Sequence, residues 1–183
     1  MIDNGDKEIL RLISAGSMEA GFNTLVQDYQ EKLYWQIRRM VVIHADADDV
    51  LQNTFIKVYK NILKFEGQAQ LSTWLHRIAI NESISFLKSK KRKRTEDIGG
   101  IQFEKKLVED KYFDHDEALL TLQKAIYTLP EKQRAVFTMR YYDEVPYKEM
   151  AEIMGGSVGS LKASYHHAVK KVEEYLKTHV SYV

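Results

Sequence analysis

Residues 146–176 read PYKEMAEIMGGSVGSLKASYHHAVKKVEEYL, and this stretch decides the fold. Proline is tolerated in the first turn of a helix, where its missing N–H leaves no bond unmade. Pro146 therefore opens a helix, PYKEMAEIM, and Gly155-Gly156 stop it. Ser157 then caps a long last helix. On that helix Leu161, Tyr165, Ala168, Val172 and Leu176 recur at three- and four-residue steps and form one apolar stripe. Helix, glycine turn, helix is the helix-turn-helix pattern. Its second helix must present a small, polar N-terminal end to the major groove, with the apolar stripe behind it. Val158, Gly159, Ser160, Lys162, Ser164, His166 and His167 supply the small and polar groups. Ala151, in the first helix, is small enough for a close helix crossing. The free N–H groups at the helix start also suit phosphate. A plain helical hairpin in a bundle has the same spacing, so spacing alone leaves both readings open. His166 and His167 are helix neighbours pointing about 100° apart, with no further ligand at helical spacing, which argues against a metal.

Upstream, Leu119, Leu122, Ile126 and Leu129 make another helix, and Pro130 opens the next, with Val136 and Met139 on its core side. The N-terminal half is also helical. Phe22, Leu25, Val26, Tyr29, Leu33, Ile37 and Met40 form one stripe, and Leu51, Phe55, Val58, Tyr59 and Ile62 a second. Leu75, Ile78 and Ala79 begin a third after a polar break at 66–70, with Ser72 as the expected cap. Only two prolines and nine glycines interrupt 183 residues, which favours helix over short strands. The expected architecture is all-α: two small helical domains, 1–94 and 116–183, joined by a flexible linker at 95–115 that contains Gly99-Gly100.

Charge is segregated. Net charge is +1 overall, but residues 1–50 carry −4, residues 51–94 carry +8, residues 95–117 carry −5 and residues 118–183 carry +2. A block of that positive density inside a neutral chain seeks a polyanion. The acidic linker is expected to fold back on it when DNA is absent. There is no cysteine, so disulfides and thiolate zinc sites are excluded. The start, MIDNGDKEILRLISAG, lacks the layout of a signal peptide. No apolar run approaches the roughly 18 residues a membrane span needs. A cytoplasmic protein without membrane insertion is expected.

Two features of the first half carry chemistry. Asp46, Asp48 and Asp49 precede Val50-Leu51-Gln52-Asn53-Thr54-Phe55. Such a cluster could bind Mg²⁺ for nuclease chemistry, but no positioned base follows, and Asp is also a good helix-start residue. The second feature is an aromatic and basic stretch. Phe65 and Trp74 flank the polar loop, with Lys57, Lys60, Lys64 and Arg77 nearby. Aromatic faces beside a basic groove suit single-stranded DNA, whose bases stack while its phosphates are neutralised. Core packing is the competing role for Trp74. Lys88, Lys90, Lys91, Arg92, Lys93 and Arg94 then form a dense cluster that would give salt-sensitive affinity for phosphates.

Taken together, DADDVLQNTFIKVYKNI, FEGQAQLSTWLHRIAINESISFLKSKKRKR and LPEKQRAVFTMRYYDEVPYKEMAEIMGGSVGSLKASYHHAVKKVEEYL resemble the extracytoplasmic-function sigma factors of bacteria, over about residues 20–94 and 115–178. The resemblance implies a non-enzymatic subunit that directs RNA polymerase to promoters, without a cofactor. It implies that Asp46, Asp48, Asp49, Gln52 and Phe55 face the clamp coiled coil of the largest polymerase subunit. The second domain would also meet the polymerase flap. The loop from Phe65 to Gln70, including Gln68, would hold a flipped minus-ten base with Asn81, and Lys57, Lys60, Lys64, Trp74, Arg77, Lys88, Lys91 and Arg92 would complete the melted-strand site. In the second half Arg140, Tyr147 and Lys148 would approach phosphates, and Ser160, Lys162, Ser164, His166 and His167 would read the minus-thirty-five element. Many family members carry Arg where this chain has Ser164 and His167; Arg binds guanine with two hydrogen bonds and His does not. An anti-sigma protein is an implied partner. A stand-alone helix-turn-helix regulator is the alternative, and a nuclease built on the aspartates is the enzymatic one.

Overall fold

The computed structural model describes residues 4–93, 105, 109 and 116–179, without the side chains of 4, 92 and 93. The linker, but for two isolated positions, lies outside the described residues, and so does its expected return to the basic face. Among the described residues there are eight α-helices and no strand. Four precede the linker: α1 (Asn4–Ser14), α2 (Met18–Val41), α3 (His44–Asn61) and α4 (Leu71–Lys93), with a 3₁₀ turn at Ile62–Lys64. Four follow it: α5 (Glu117–Thr128), α6 (Glu131–Tyr141), α7 (Tyr147–Met154) and α8 (Val158–His179).

Local chemistry explains the boundaries. The Asp116 carboxylate accepts from the Leu119 N–H at 2.9 Å and caps α5. Pro130 and Pro146 sit immediately before α6 and α7 rather than inside their first turns. Gly155 and Gly156, at φ 75° and 92°, end α7. The Ser157 hydroxyl accepts from the Ser160 N–H at 3.1 Å and starts α8, as its sequence suggests. The expected cap at Ser72 is not used. The first bond of α4 runs from the Trp74 N–H to the Gln70 carbonyl, so the helix begins before Ser72. The α2–α3 corner turns on Val42 at φ 71°, a conformation that costs a β-branched residue. Val42 and Ile43 are buried there, with Leu120 and Tyr127 of α5 packed on them, so tertiary packing holds the corner.

The first four helices share an apolar interior. α1 lies close against α2. At Gly21 a Cβ would come within 2.6 Å of Ile13 Cγ1 and 3.1 Å of the Ile9 carbonyl, so only glycine fits without displacement. Beside this crossing the Tyr29 hydroxyl donates to the buried Asp6 carboxylate at 2.5 Å. α3 buries Ala47, Val50, Thr54 and Val58, one face at helical spacing. In the second group α8 buries Leu161, Ala168 and Val172, the stripe read from sequence.

The two groups also pack on each other, α4 against α6 and α7, and α2 against α6. Met139, Met150, Ile153 and Leu161 join the same buried cluster as Leu33, Ile37, Met40, Leu75 and Ile80. Arg134 of α6 is 4% exposed. Its guanidinium donates to the Met40 carbonyl at the end of α2 (3.1 Å) and to the Tyr127 (2.5 Å) and Leu129 (3.3 Å) carbonyls of the second group. Arg39 pairs with Asp143, and Arg77 donates to the Glu152 carbonyl. Three arginines thus tie the halves together. No described helix is long and apolar enough to cross a membrane.

Candidate polymerase and nucleic-acid surfaces

Three surfaces gather the residues singled out by sequence. The first is α3. Its acidic start is partly committed inside the molecule: Asp46 pairs with Lys90, and Asp48 lies 3.3 Å from His44 Nε2. His44 Nδ1 in turn is 2.6 Å from the Tyr34 hydroxyl. Asp49 and Gln52 point to solvent, and Phe55 is half-buried against Phe22, edge to face at 6.3 Å. The helix continues outward with residues the sequence reading missed or misplaced. Ile56, Tyr59 and Leu63 are 46%, 50% and 74% exposed. Tyr59 was expected in the core stripe; only Val58 and Ile62 are buried there, because 58 and 62 lie one turn apart on the inner side while 59 falls about 100° round. Asp49, Gln52, Ile56, Tyr59 and Leu63 make an acid-tipped apolar ridge at steps of three and four. The spacing was readable; the side of α3 that faces α2 and α4 was not.

The second surface runs between α3 and α4. Lys57, Asn61 and Lys64 from the end of α3 and Trp74 and Ile78 from the start of α4 line an open cavity of about 300 Å³. Lys57 is held at 2.5 Å by Glu82. The Asn61 amide donates to the Lys57 carbonyl at 2.8 Å. Trp74 is half-buried with its ring 5.4 Å from Phe65, so it serves both the core and the cavity. The structure thus brings Lys57, Lys64 and Trp74 together, with Phe65 behind the indole. Asn61 and Ile78 were missed, although each stands four residues from a residue that was chosen. Lys60 is exposed beside the cavity. Gln68 is exposed and donates to the Glu66 carboxylate at 2.8 Å. Asn81 is exposed and does not line the cavity. About the α4 axis, 78 and 82 lie to one side of Trp74 and 77, 81 and 88 to the other. Arg77 accordingly reaches Glu152 of the second group, and Lys88 and Lys91 are exposed. The side chain of Arg92 lies outside the described part.

The third surface is the helix-turn-helix, α7 and α8. Lys162, His166 and His167 are exposed on α8, the two imidazoles 6.0 Å apart. Ser160 is exposed but its hydroxyl is engaged with Ser157 at the helix start, and Ser164 is half-buried, turned from the outer face. Tyr147 lies between two cations, with Arg140 5.4 Å and Lys162 5.8 Å from its ring. Arg140 also donates to the Glu144 and Val145 carbonyls at 3.0 and 3.4 Å, closing the α6–α7 turn. Lys148 is exposed. Burial raises the Tyr165 hydroxyl above its ordinary range, so Tyr165 stays a neutral part of the helix's inner side.

Sigma-70 region 2 matches residues 25–93, and sigma-70 region 4 matches residues 119–172. The chain is 30% identical over 181 residues to the extracytoplasmic-function RNA polymerase sigma factor SigW of Bacillus subtilis (strain 168), covering 93% of this chain and 96% of that one. It is 30% identical over 178 residues to the sigma-E factor of Escherichia coli (strain K12), covering 92% of each. In three dimensions it is similar to CnrH in complex with the cytosolic domain of CnrY, with a TM-score of 0.66, 19% identity and coverage of 97% of this chain and 100% of that one. It is also similar to the sigma factor RpoE in complex with the anti-sigma factor NepR from Bartonella quintana, with a TM-score of 0.60, 23% identity and coverage of 87% and 98%. These two likenesses are of fold.

Proposed function

The chain belongs to the extracytoplasmic-function sigma factors of RNA polymerase, and from that premise we propose how its surfaces divide the work. As such a factor it directs core polymerase to specific promoters and assists their opening. It does so by binding, in the compartment that holds the polymerase, without catalytic turnover of its own.

The α3 ridge is the polymerase-docking surface. Asp49 and Gln52 supply polar contacts to the clamp coiled coil, and Phe55, Ile56 and Tyr59 supply the apolar centre that makes such an interface tight. The exposure of Ile56, Tyr59 and Leu63 is the observation that carries this assignment, because a ridge of large apolar groups left in water marks a binding surface. The α3–α4 cavity and the lysines along α4 hold the melted strand. A base that has left the duplex recovers stacking energy on Trp74, and Lys64, Lys88 and Lys91 neutralise phosphates. The outer face of α8 enters the major groove. Lys162, His166 and His167 meet base edges there, while Lys148 and the α8 N-terminus meet phosphate. An anti-sigma protein is a regulatory partner, as NepR is for the Bartonella factor.

The test is binding of the full chain to core polymerase. Gln52→Ala with Phe55→Ala lowers core affinity at least tenfold, and the variant keeps wild-type duplex binding by its C-terminal half. Unchanged core affinity removes α3 from the interface.

A further inference from the structure

Between the two helical groups lies an open cavity of about 290 Å³, and His76 of α4 stands half-buried in its wall. The ring is fixed from one side only: Nδ1 stands 2.9 Å from Oε1 of Gln36, itself a buried polar residue of α2. An amide oxygen only accepts, so Nδ1 carries the proton of the neutral ring and Nε2 is bare. A second proton therefore enters at Nε2 and places a full charge inside the contact between the halves.

We propose that His76 is a proton-operated latch: protonation of its ring separates the C-terminal helical group from the N-terminal one. The groups around it set the sign. From α2 the cavity receives Lys32, Trp35, Gln36 and Arg39; from the α6–α7 turn, Asp143 and Val145; from α7, Glu149 and Ile153. Asp143 is taken by Arg39. Lys32 and Glu149 remain, one charge of each sign, and neither is buried. Burial decides the balance, with Lys32 adding to it, and together they push the imidazole down from 6.5 to about 4 in the closed molecule. In the open molecule the ring meets water and regains its ordinary value. Closure is therefore fully present above about 6.5 and is lost as the pH falls from there toward 4. Between pH 7.5 and 5.5 the ratio of open to closed chain rises about tenfold, the linkage expected for that pair of values. Opening releases Arg77 from Glu152 and Arg39 from Asp143, and exposes the α4 face that α7 covers.

The chain has no cysteine, so two dyes can be placed at will. Glu19→Cys on α2 and Glu173→Cys on α8 are exposed and outside the contact. Energy transfer between them, in the full chain without polymerase or DNA, falls reversibly as the pH is lowered from 7.5 to 5.5. His76→Gln keeps an amide toward Gln36 but cannot take the proton, and it holds the same transfer at both values. Asp143→Asn, which removes the Arg39 pair, lowers the transfer at both values and keeps the pH step between them. Transfer in the labelled chain with His76 in place that does not change with pH, with helical circular dichroism intact, overturns the latch. So does a step that persists in His76→Gln.

Discussion

The basic groove along α4 and the outer face of α8 both carry nucleic-acid-binding side chains, yet they hold them on opposite terms. In the groove three of the charges have partners, Lys57 with Glu82, Lys90 with Asp46 and Arg77 with the Glu152 carbonyl, while Lys64, Lys88 and Lys91 are exposed. On α8 His166 and His167 face solvent with no ion pair among the described residues, and Lys162 has only the Tyr147 ring, over which its ammonium lies 5.8 Å from the centroid. The difference follows from position. α4 is packed on α2 and α3 and again on α6 and α7, so a charge on it is seldom far from another element. α8 stands on one apolar stripe and leaves its other side in water. A reader of duplex DNA can stand ready in this way. Where a cation of the strand-melting surface is internally engaged, its partner must be exchanged for a phosphate, so that part of the affinity is the difference between two sets of contacts.

The largest expected effect tests the frame on which this contrast rests. Arg134→Met removes a buried guanidinium that serves the Met40, Tyr127 and Leu129 carbonyls together. Leaving those acceptors without a donor costs about 3 kcal/mol in urea unfolding of the full chain. Lysine does not rescue it, because an ammonium lacks the fork that reaches three carbonyls. A loss below about 1 kcal/mol would mean that apolar contact alone holds the halves, and the engaged state of the groove would lose its support.

A smaller effect serves as a control at a place remote from both regions. Gly21→Ala brings a Cβ against Ile13 and the Ile9 carbonyl. Overpacking of this kind costs about 2 kcal/mol, seen as a lower Tm, and Ile13→Val recovers part of it. Binding of single-stranded and duplex DNA at 25 °C should fall together or not at all. A selective loss in one region would show that global stability, rather than local engagement, separates them.

The sequence made the second region more legible than the first. Pro146, Gly155-Gly156 and Ser157 are local signals, each with its own backbone chemistry, and the structure uses all of them. The apolar stripe of α8 could be read because one side of the helix is wet. α4 is buried on more than one side, so its periodicity is weak, and no spacing rule says that Arg77 turns from Trp74 toward Glu152. Arg134 had no signal at all: a lone arginine in a helix reads as surface, and only contacts ninety-four and seven residues away make it interior. Tyr59 failed for a related reason, since a wide stripe does not say which of its edges faces the core.

The smallest effects bear directly on the contrast and have opposite signs. Glu82→Gln frees Lys57 from its intramolecular partner. Exposed pairs contribute about 0.2–1 kcal/mol, so affinity for single-stranded DNA rises about threefold at low salt. Lys148→Ala removes an exposed, phosphate-facing cation that has no such partner among the described residues, and duplex affinity falls by a similar factor. The salt dependence tells the two apart. Loss of an unengaged phosphate contact lowers the slope of log affinity against log salt by about 1. Release of an engaged lysine raises that slope, because one more phosphate is then neutralised by the protein. If Glu82→Gln leaves both affinity and slope unchanged, Lys57 already meets the strand while paired, and the groove is no more restrained than the recognition helix.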